Sequence, residues 1–187
     1  MKSLFSLTHV AASALIAVGL SLPALANTKT SDSLSAQEKG VQLINQVADV
    51  ARDVRYSAEH LDSYNRHMQI SKWSHDYHLN QIKNLVNDGL NPALAQLQDL
   101  QSQLPDWKQQ AIDNMVKSAT ALAADANSAI VERSDSGPAP LPMNADYKAF
   151  VKQVTEHAQN LIKTSDAAAA YASAHMKDAG IEVPPHS

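Results

Sequence analysis

The chain contains no cysteine. Disulfides, thiolate metal sites, a covalently attached c-type haem, a cysteine nucleophile and lipid attachment at a processed amino terminus are therefore excluded, and stability has to come from packing alone. Lysine and arginine form no basic block, so the electrostatic footprint of a nucleic-acid or anionic-lipid binder is missing. There is no G-x-S-x-G elbow, no H-E-x-x-H pair and no glycine-rich phosphate cradle, which removes the common signatures of hydrolytic and phosphate chemistry. Glycine occurs 5 times in 187 residues and aromatic residues make up 5%. Ala is the commonest residue and Leu, Gln, Lys and Asp are frequent, with apolar residues recurring at threes and fours, which is a helical composition.

The amino terminus reads as a secretory signal. Met1-Lys2 is a short positive start, Leu4 to Leu20 is an apolar core, and Ala24-Leu25-Ala26 places small residues where a signal peptidase reads. A transmembrane anchor is the alternative, but the apolar run is interrupted and shorter than the roughly 20 residues a bilayer span needs. Cleavage after Ala26 is expected, with delivery to the periplasm or the exterior and no membrane span thereafter. Removing 26 of the 187 residues leaves 161, enough for one domain with a continuous core. The leader carries one Lys and one His, so 14 cationic side chains face 19 carboxylates in the mature chain, with 7 His.

Four amphipathic segments follow a polar stretch, residues 27–34, that is expected to be a disordered leader. The first helix is expected to open at a capping box, Ser35 with Glu38, and to bury Val41, Ile44, Ala48, Ala51, Ala58 and Leu61, with Val47 and Val54 widening the stripe. No glycine or proline interrupts Tyr64 to Trp73, yet a helix running on to Gln103 would be about 100 Å long and could not fit a domain of this size. A turn is therefore expected at His67 to Ser71, with Ser71 as the next N-cap. The second stripe is Leu79, Ile82, Val86, Leu90, Leu94, Leu97, Leu100 and Leu104. Pro92 lies inside it, unable to donate to the carbonyl of Asp88, which predicts a kink rather than an end.

Leu104-Pro105 breaks the chain, and Asp106 with Gln109 reads as a second capping box. The third stripe is Ile112, Met115, Ala119, Leu122, Ala126 and Ile130, to about Arg133. Gly137, Pro138, Pro140 and Pro142 make Ser134 to Met143 a loop. Asn144 caps the last helix, whose stripe is Tyr147, Val151, Val154, Ala158, Leu161, Ser165, Ala168 and Ala172, with Gly180 as C-cap and residues 181–187 as a disordered tail. Four such helices on short loops predict an all-α, up-down-up-down four-helix bundle over residues 35–180. The alternative is a pair of long hairpins that swap or dimerise to complete the core.

Ile70-Ser71, His75, Leu79-x-x-Ile82-Lys83, Gly89, Pro105 through Trp107, Ala111-Ile112-Asp113 and Asn127-x-Ala129-Ile130 together resemble a group of secreted helical-bundle proteins of soil bacteria that carry no assigned activity. The resemblance spans roughly Ile70 to Val151. It rests on helix caps and core positions, so it implies a bundle and an exported compartment and no particular reaction.

Histidine has the one suggestive distribution. His60, His67, His75 and His78, with Met68 nearby, surround the junction of the first two helices, and a bundle brings the loop bearing Glu132, Asp135, Met143 and Asp146 to the same end. Neutral imidazoles on facing helix ends could ligate Zn²⁺, Cu²⁺ or Ni²⁺. Against this, the spacing matches no defined motif, a helix end is where titratable residues meet water, and His75 lies four residues before Leu79 on the apolar stripe. Axial ligation of a b-type haem would fall to His157 or His175 with Met68, Met115 or Met143, although methionine at stripe spacing is ordinarily core. Asp49, Asp53, Glu59 and Asp62 read as a solvated face. Trp73, Trp107, Tyr56, Tyr64, Tyr77 and Tyr147 are expected to anchor helix ends. If several were exposed together they would mark a binding patch. The expected function is that of a non-enzymatic interaction or structural module for a protein or small ligand. Periplasmic binding or sensing of a transition metal through His60, His67, His75 and His78 is the alternative.

Overall fold

The protein is described as a computed structural model covering residues 28–67, 70–135 and 144–178. The signal peptide, the tail, the Gly180 cap, Met68 and Met143 lie outside these residues. Five α-helices follow in order: α1 (Thr28–Tyr64), α2 (Lys72–Asn84), α3 (Asn91–Leu100), α4 (Asp106–Asp135) and α5 (Ala145–Asp178). A π-helical turn, Leu85–Leu90, joins α2 to α3, so the two act as one rod. The result is the four-rod, all-α bundle that the periodicity implies. In cross-section α1 and α4 each pack on α5 and on the α2/α3 rod, and stand diagonally across the bundle.

The predicted stripes form the core, except that Val41, Leu100 and Ile130 are only partly buried. Ile44, Val47, Ala51, Val54, Leu61, Ile82, Leu90, Leu97, Ile112, Met115, Leu122, Val154 and Leu161 are buried in a single cluster. Burying each of the leucines stabilises the fold by about 2 kcal/mol of transfer free energy. The α1, α4 and α5 seams carry many alanines, among them Ala48, Ala58, Ala126, Ala129, Ala158 and Ala168, whereas the α2/α3 rod supplies mostly leucine and isoleucine. Small residues let α5 sit close to both neighbours, and these are the most extensive interfaces in the molecule.

The turn between the first two rods falls where it is expected. After Tyr64 the backbone tightens into three-residue bonds, from Arg66 N–H to the Ser63 carbonyl and from His67 N–H to the Tyr64 carbonyl. Ser71 then caps α2 in extended conformation, its hydroxyl accepting from the Ser74 amide at 3.3 Å. Asn144 caps α5 in the same way, accepting from the Tyr147 amide at 2.9 Å.

Two boundaries differ from expectation. The first helix opens at Thr28, so residues 28–34 are helical and Ser35 lies inside α1 rather than capping it. No glycine or proline interrupts that stretch, and once the downstream turns exist, each added residue extends the helix without a new nucleation penalty. At α4, Pro105 occupies the cap: its carbonyl accepts from the amides of Lys108 and Gln109, and the Gln109 side chain donates to the Leu104 carbonyl at 2.9 Å. Asp106 is the first residue of α4 and complements the positive end of its dipole instead of forming a box.

The interruption at Pro92 takes a specific form. Because Pro92 cannot donate to the Asp88 carbonyl, the preceding turn widens, and Asn91 N–H bonds the carbonyl of Val86, five residues back. Gly89 sits in this turn against α1. A Cβ there would lie 2.9 Å and 3.1 Å from the two methyl carbons of Val50, closer than packed side chains tolerate. The absence of a side chain at position 89 is what lets the widened turn approach α1.

Candidate binding site

Helix α2 presents two faces of opposite character. Its inner face carries His75, completely buried, with Nδ1 2.9 Å from the Tyr147 hydroxyl at the start of α5. The end of α4 closes the same corner through an ion pair between Arg133 and Asp76. Burial, followed by the nearby Arg133 guanidinium, lowers the His75 pKa to about 4, with Asp76 opposing and His78 adding to the decrease. The imidazole is therefore neutral near pH 7. Burial raises the Tyr147 pKa, so its hydroxyl stays protonated and available as a donor. His75 Nε2 meets no partner among the described residues.

A ladder of rings crosses from α1 to the outer side of α2, passing through His78, which is itself buried. Tyr56 meets His60 edge-on at 4.5 Å between centroids, and His60 stacks on His78 at 4.9 Å with planes 5° apart. His78 meets Tyr77 edge-on at 5.1 Å, and Tyr77 stacks with Trp73 at 6.0 Å. Tyr64 backs the ladder, with its hydroxyl 3.3 Å from His78 Nε2. Burial and then the neighbouring His60 lower the His78 pKa, with a Gln81 hydrogen bond opposing. The ends of the ladder are wet: Trp73 is 72% exposed, Tyr56 62% and Tyr77 49%. These three do not anchor helix ends as expected; they form an open aromatic surface, while Tyr147 is buried and Tyr64 and Trp107 are partly buried against the core.

Below the ladder, α1 and the α2/α3 rod part to leave a cleft of about 580 Å³. Asp53, Tyr56 and Ser57 line one wall and Gln81, Asn84 and Asp88 the other, ending at the π turn beside Gly89. Gln81 ties the walls together through its carbonyl, which accepts from Ser57 at 3.3 Å, while its amide donates to the Tyr77 hydroxyl one turn back on the same helix at 2.9 Å. The volume lies within the range of small-molecule sites, and π turns recur at functional positions.

The histidines expected to act together are divided by this geometry. His60 and His78 belong to the ladder, His75 to the inner corner, and His67 is exposed in the turn apart from both. Imidazole lone pairs lie in the ring plane, so the near-parallel stack of His60 on His78 does not aim two lone pairs at one point. No group of three or more His, Asp or Glu among the described residues is disposed to hold a metal ion. His157 is engaged with Asp125 at 3.1 Å, Met115 is core, and His175 packs on Tyr171 at the opposite end of the bundle. Glu132 accepts from the Asn144 side chain at 3.1 Å, while Asp135 and Asp146 are exposed.

Of the α1 carboxylates expected on a solvated face, Asp49, Glu59 and Asp62 do form exposed ion pairs with Arg52, Arg55 and Arg66. Asp53 differs by facing the cleft. Sequence reasoning missed it, together with Asp88 and Gln81, because no spacing marks residues that meet only when two helices pack. The helical position of Asp53, three before Tyr56 and seven before His60, is the one signal that could have found it. Among the described residues no helix is long and apolar enough to cross a membrane. No family model, no curated protein and no solved structure matches this chain.

Proposed function

We propose that the protein is an exported, non-enzymatic binding module that engages its partner through the ring ladder and cleft on the α1/α2 face. The observation that carries this reading is the contiguous exposure of Tyr56, Tyr77 and Trp73, joined through His60 and His78. Large aromatic side chains left wet in a connected row are uncommon on a surface without a partner, and such rings dominate the energetics of recognition. The signal-like amino terminus and the resemblance to secreted helical-bundle proteins support export.

The test has two parts. Expression of the full chain in a bacterium, fractionation and amino-terminal sequencing should place a product beginning at Asn27 outside the cytoplasm; retention of an uncut chain in the cytoplasm would refute export. The mature chain and a Tyr56→Ala, Trp73→Ala, Tyr77→Ala triple variant are then immobilised and exposed to periplasmic extract and to the protein itself. Species held by the parent and lost by the triple variant are expected, and equal retention by both would refute the assignment of this face. Loss of self-association in the variant would identify the partner as a second copy.

Binding of Zn²⁺, Cu²⁺ or Ni²⁺ is the second reading; it requires His60 and His78, which are neighbours but stacked, to turn their ring edges towards one ion. Titration of the mature chain with each ion decides it. Micromolar binding abolished by His60→Ala and His78→Ala would displace the first reading in its favour.

A further inference from the structure

The buried stripe of α4 opens on a charged residue. Ile112, Met115, Ala119 and Leu122 continue it with apolar side chains, but its first member, one turn before Ile112, is Lys108, only 2% exposed. A lysine so buried is ordinarily paired. Among the described residues the Lys108 ammonium forms no ion pair and no hydrogen bond. Its Nζ lies 5.4 Å from the centre of the Trp107 ring, which supplies one attractive face but no acceptor for the three N–H donors. Burial lowers the Lys108 pKa, and no neighbouring carboxylate opposes the shift.

The surroundings add a second source of positive potential. Trp107 and Lys108 are the second and third residues of α4, at the positive end of its dipole. The amides of Lys108 and Gln109 bond the Pro105 carbonyl, while those of Asp106 and Trp107 find no backbone acceptor among the described residues. Side chains lean towards the amino end of their helix, and the contact of Nζ with Trp107 shows that Lys108 does so, which carries its ammonium towards these amides. Asp106 is exposed and stands roughly 200° around α4 from Lys108. Beside them Trp107 meets Tyr171 of α5 edge-on at 4.5 Å between centroids, and Tyr171 is exposed.

We infer that this end of the bundle binds a small aromatic monocarboxylate, its carboxylate held by the Lys108 ammonium and the opening amides of α4 and its ring lying against Trp107 and Tyr171. The site is at the opposite end from the ring ladder and does not rest on the reading of that face. A carboxylate accepts through both oxygens and has no donor, which matches an ammonium and helix amides that only donate. One negative charge balances the one unpaired positive charge. A phosphate monoester would bring close to two, and Arg52, Arg55, Arg66 and Arg133 all belong to other ion pairs. A lysine that merely covers the end of the core would need only its apolar stem, so methionine would serve equally well there.

The chain has two tryptophans, so Trp73→Phe leaves Trp107 as the sole fluorescent reporter of this end. In that background, saturable quenching of the purified protein by phenylacetate is expected, with 2-phenylethanol, acetate and inorganic phosphate each at least tenfold weaker. Lys108→Met and Lys108→Gln should each weaken phenylacetate at least tenfold, whereas Lys117→Met, which alters an exposed lysine further along α4, should leave it unchanged. Circular dichroism of each variant confirms that the bundle is intact, since removing an unpaired buried charge does not by itself unfold a helix bundle. No saturable quenching at millimolar phenylacetate, equal binding of 2-phenylethanol, tighter binding of inorganic phosphate, or unaltered binding by both Lys108 variants would overturn the inference.

Discussion

The two faces of α2 hold the same kinds of residue and put them to opposite use. On the inner face a histidine and a tyrosine, His75 and Tyr147, are fully buried and hydrogen-bonded to each other at 2.9 Å. On the outer face histidines and tyrosines stack in a row that ends in water. The difference is one of solvent access and not of residue type. It teaches that imidazoles close in sequence can divide, once helices pack, between a fully enclosed pair and the buried middle of a row whose ends are wet.

That division can be tested by perturbations that should register more strongly on one face than on the other. The largest effect expected is that of acid on the inner face. The unfolded chain protonates His75 near pH 6.5, the folded chain only near pH 4, so between these values the unfolded state binds more protons. The stabilisation is fully present above the unfolded value and is lost as pH falls towards 4, by about 3 kcal/mol. Urea unfolding at pH 7 and pH 4 measures it, and His75→Gln should flatten the slope. The pKa of His78 is also lowered, so His78→Gln beside His75→Gln is needed to separate the contribution of the ladder from that of the inner corner.

Next in size is Gly89→Val, which forces side-chain atoms into Val50 and should destabilise by about 2 kcal/mol. Adding Val50→Ala should recover part of that loss, because the clash rather than the altered helix propensity is its source. Tyr147→Phe should follow at about 1 to 2 kcal/mol, since it leaves His75 Nδ1 buried without its partner. Smallest is Trp73→Ala, expected within about 0.5 kcal/mol of the parent in stability because the ring is mostly exposed. Its effect should appear in binding to the outer face instead. A Trp73→Ala variant that unfolds as readily as Tyr147→Phe would erase the distinction between the faces.

Much of this architecture is legible in the chain because it depends on local periodicity. The leucine stripe from Leu79 to Leu104, the cap at Ser71 and the cap at Asn144 each follow from spacing or from one polar residue before an apolar run. The start of α1 was less legible because a helix can extend past a good cap when nothing upstream breaks it. The kink at Pro92 was visible as a missing donor, but its resolution as a π turn depended on Gly89 meeting Val50, a contact between helices. The site was legible in part. His60 and His78 are in it, whereas His67 and His75 are not, and Asp53 and Asp88 join it only through packing that no single-helix pattern encodes.

One further property follows from the buried corner beneath the first turn. Asn65 is buried with neither amide atom bonded to a described residue, and His75 Nε2 and His78 Nδ1 are in the same condition. Beyond Asn65, whose N–H still bonds the Leu61 carbonyl, the backbone bonds of the turn are three-residue links and not full helical ones. Transient opening of the bundle is therefore expected to begin at this end, with amides around Asn65 and Ser71 exchanging with solvent sooner than those around Leu97 or Leu122. Trp73 and Tyr77 ride on the segment that breathes first, which gives the aromatic surface room to adjust around whatever it grips while the leucine-lined half stays rigid.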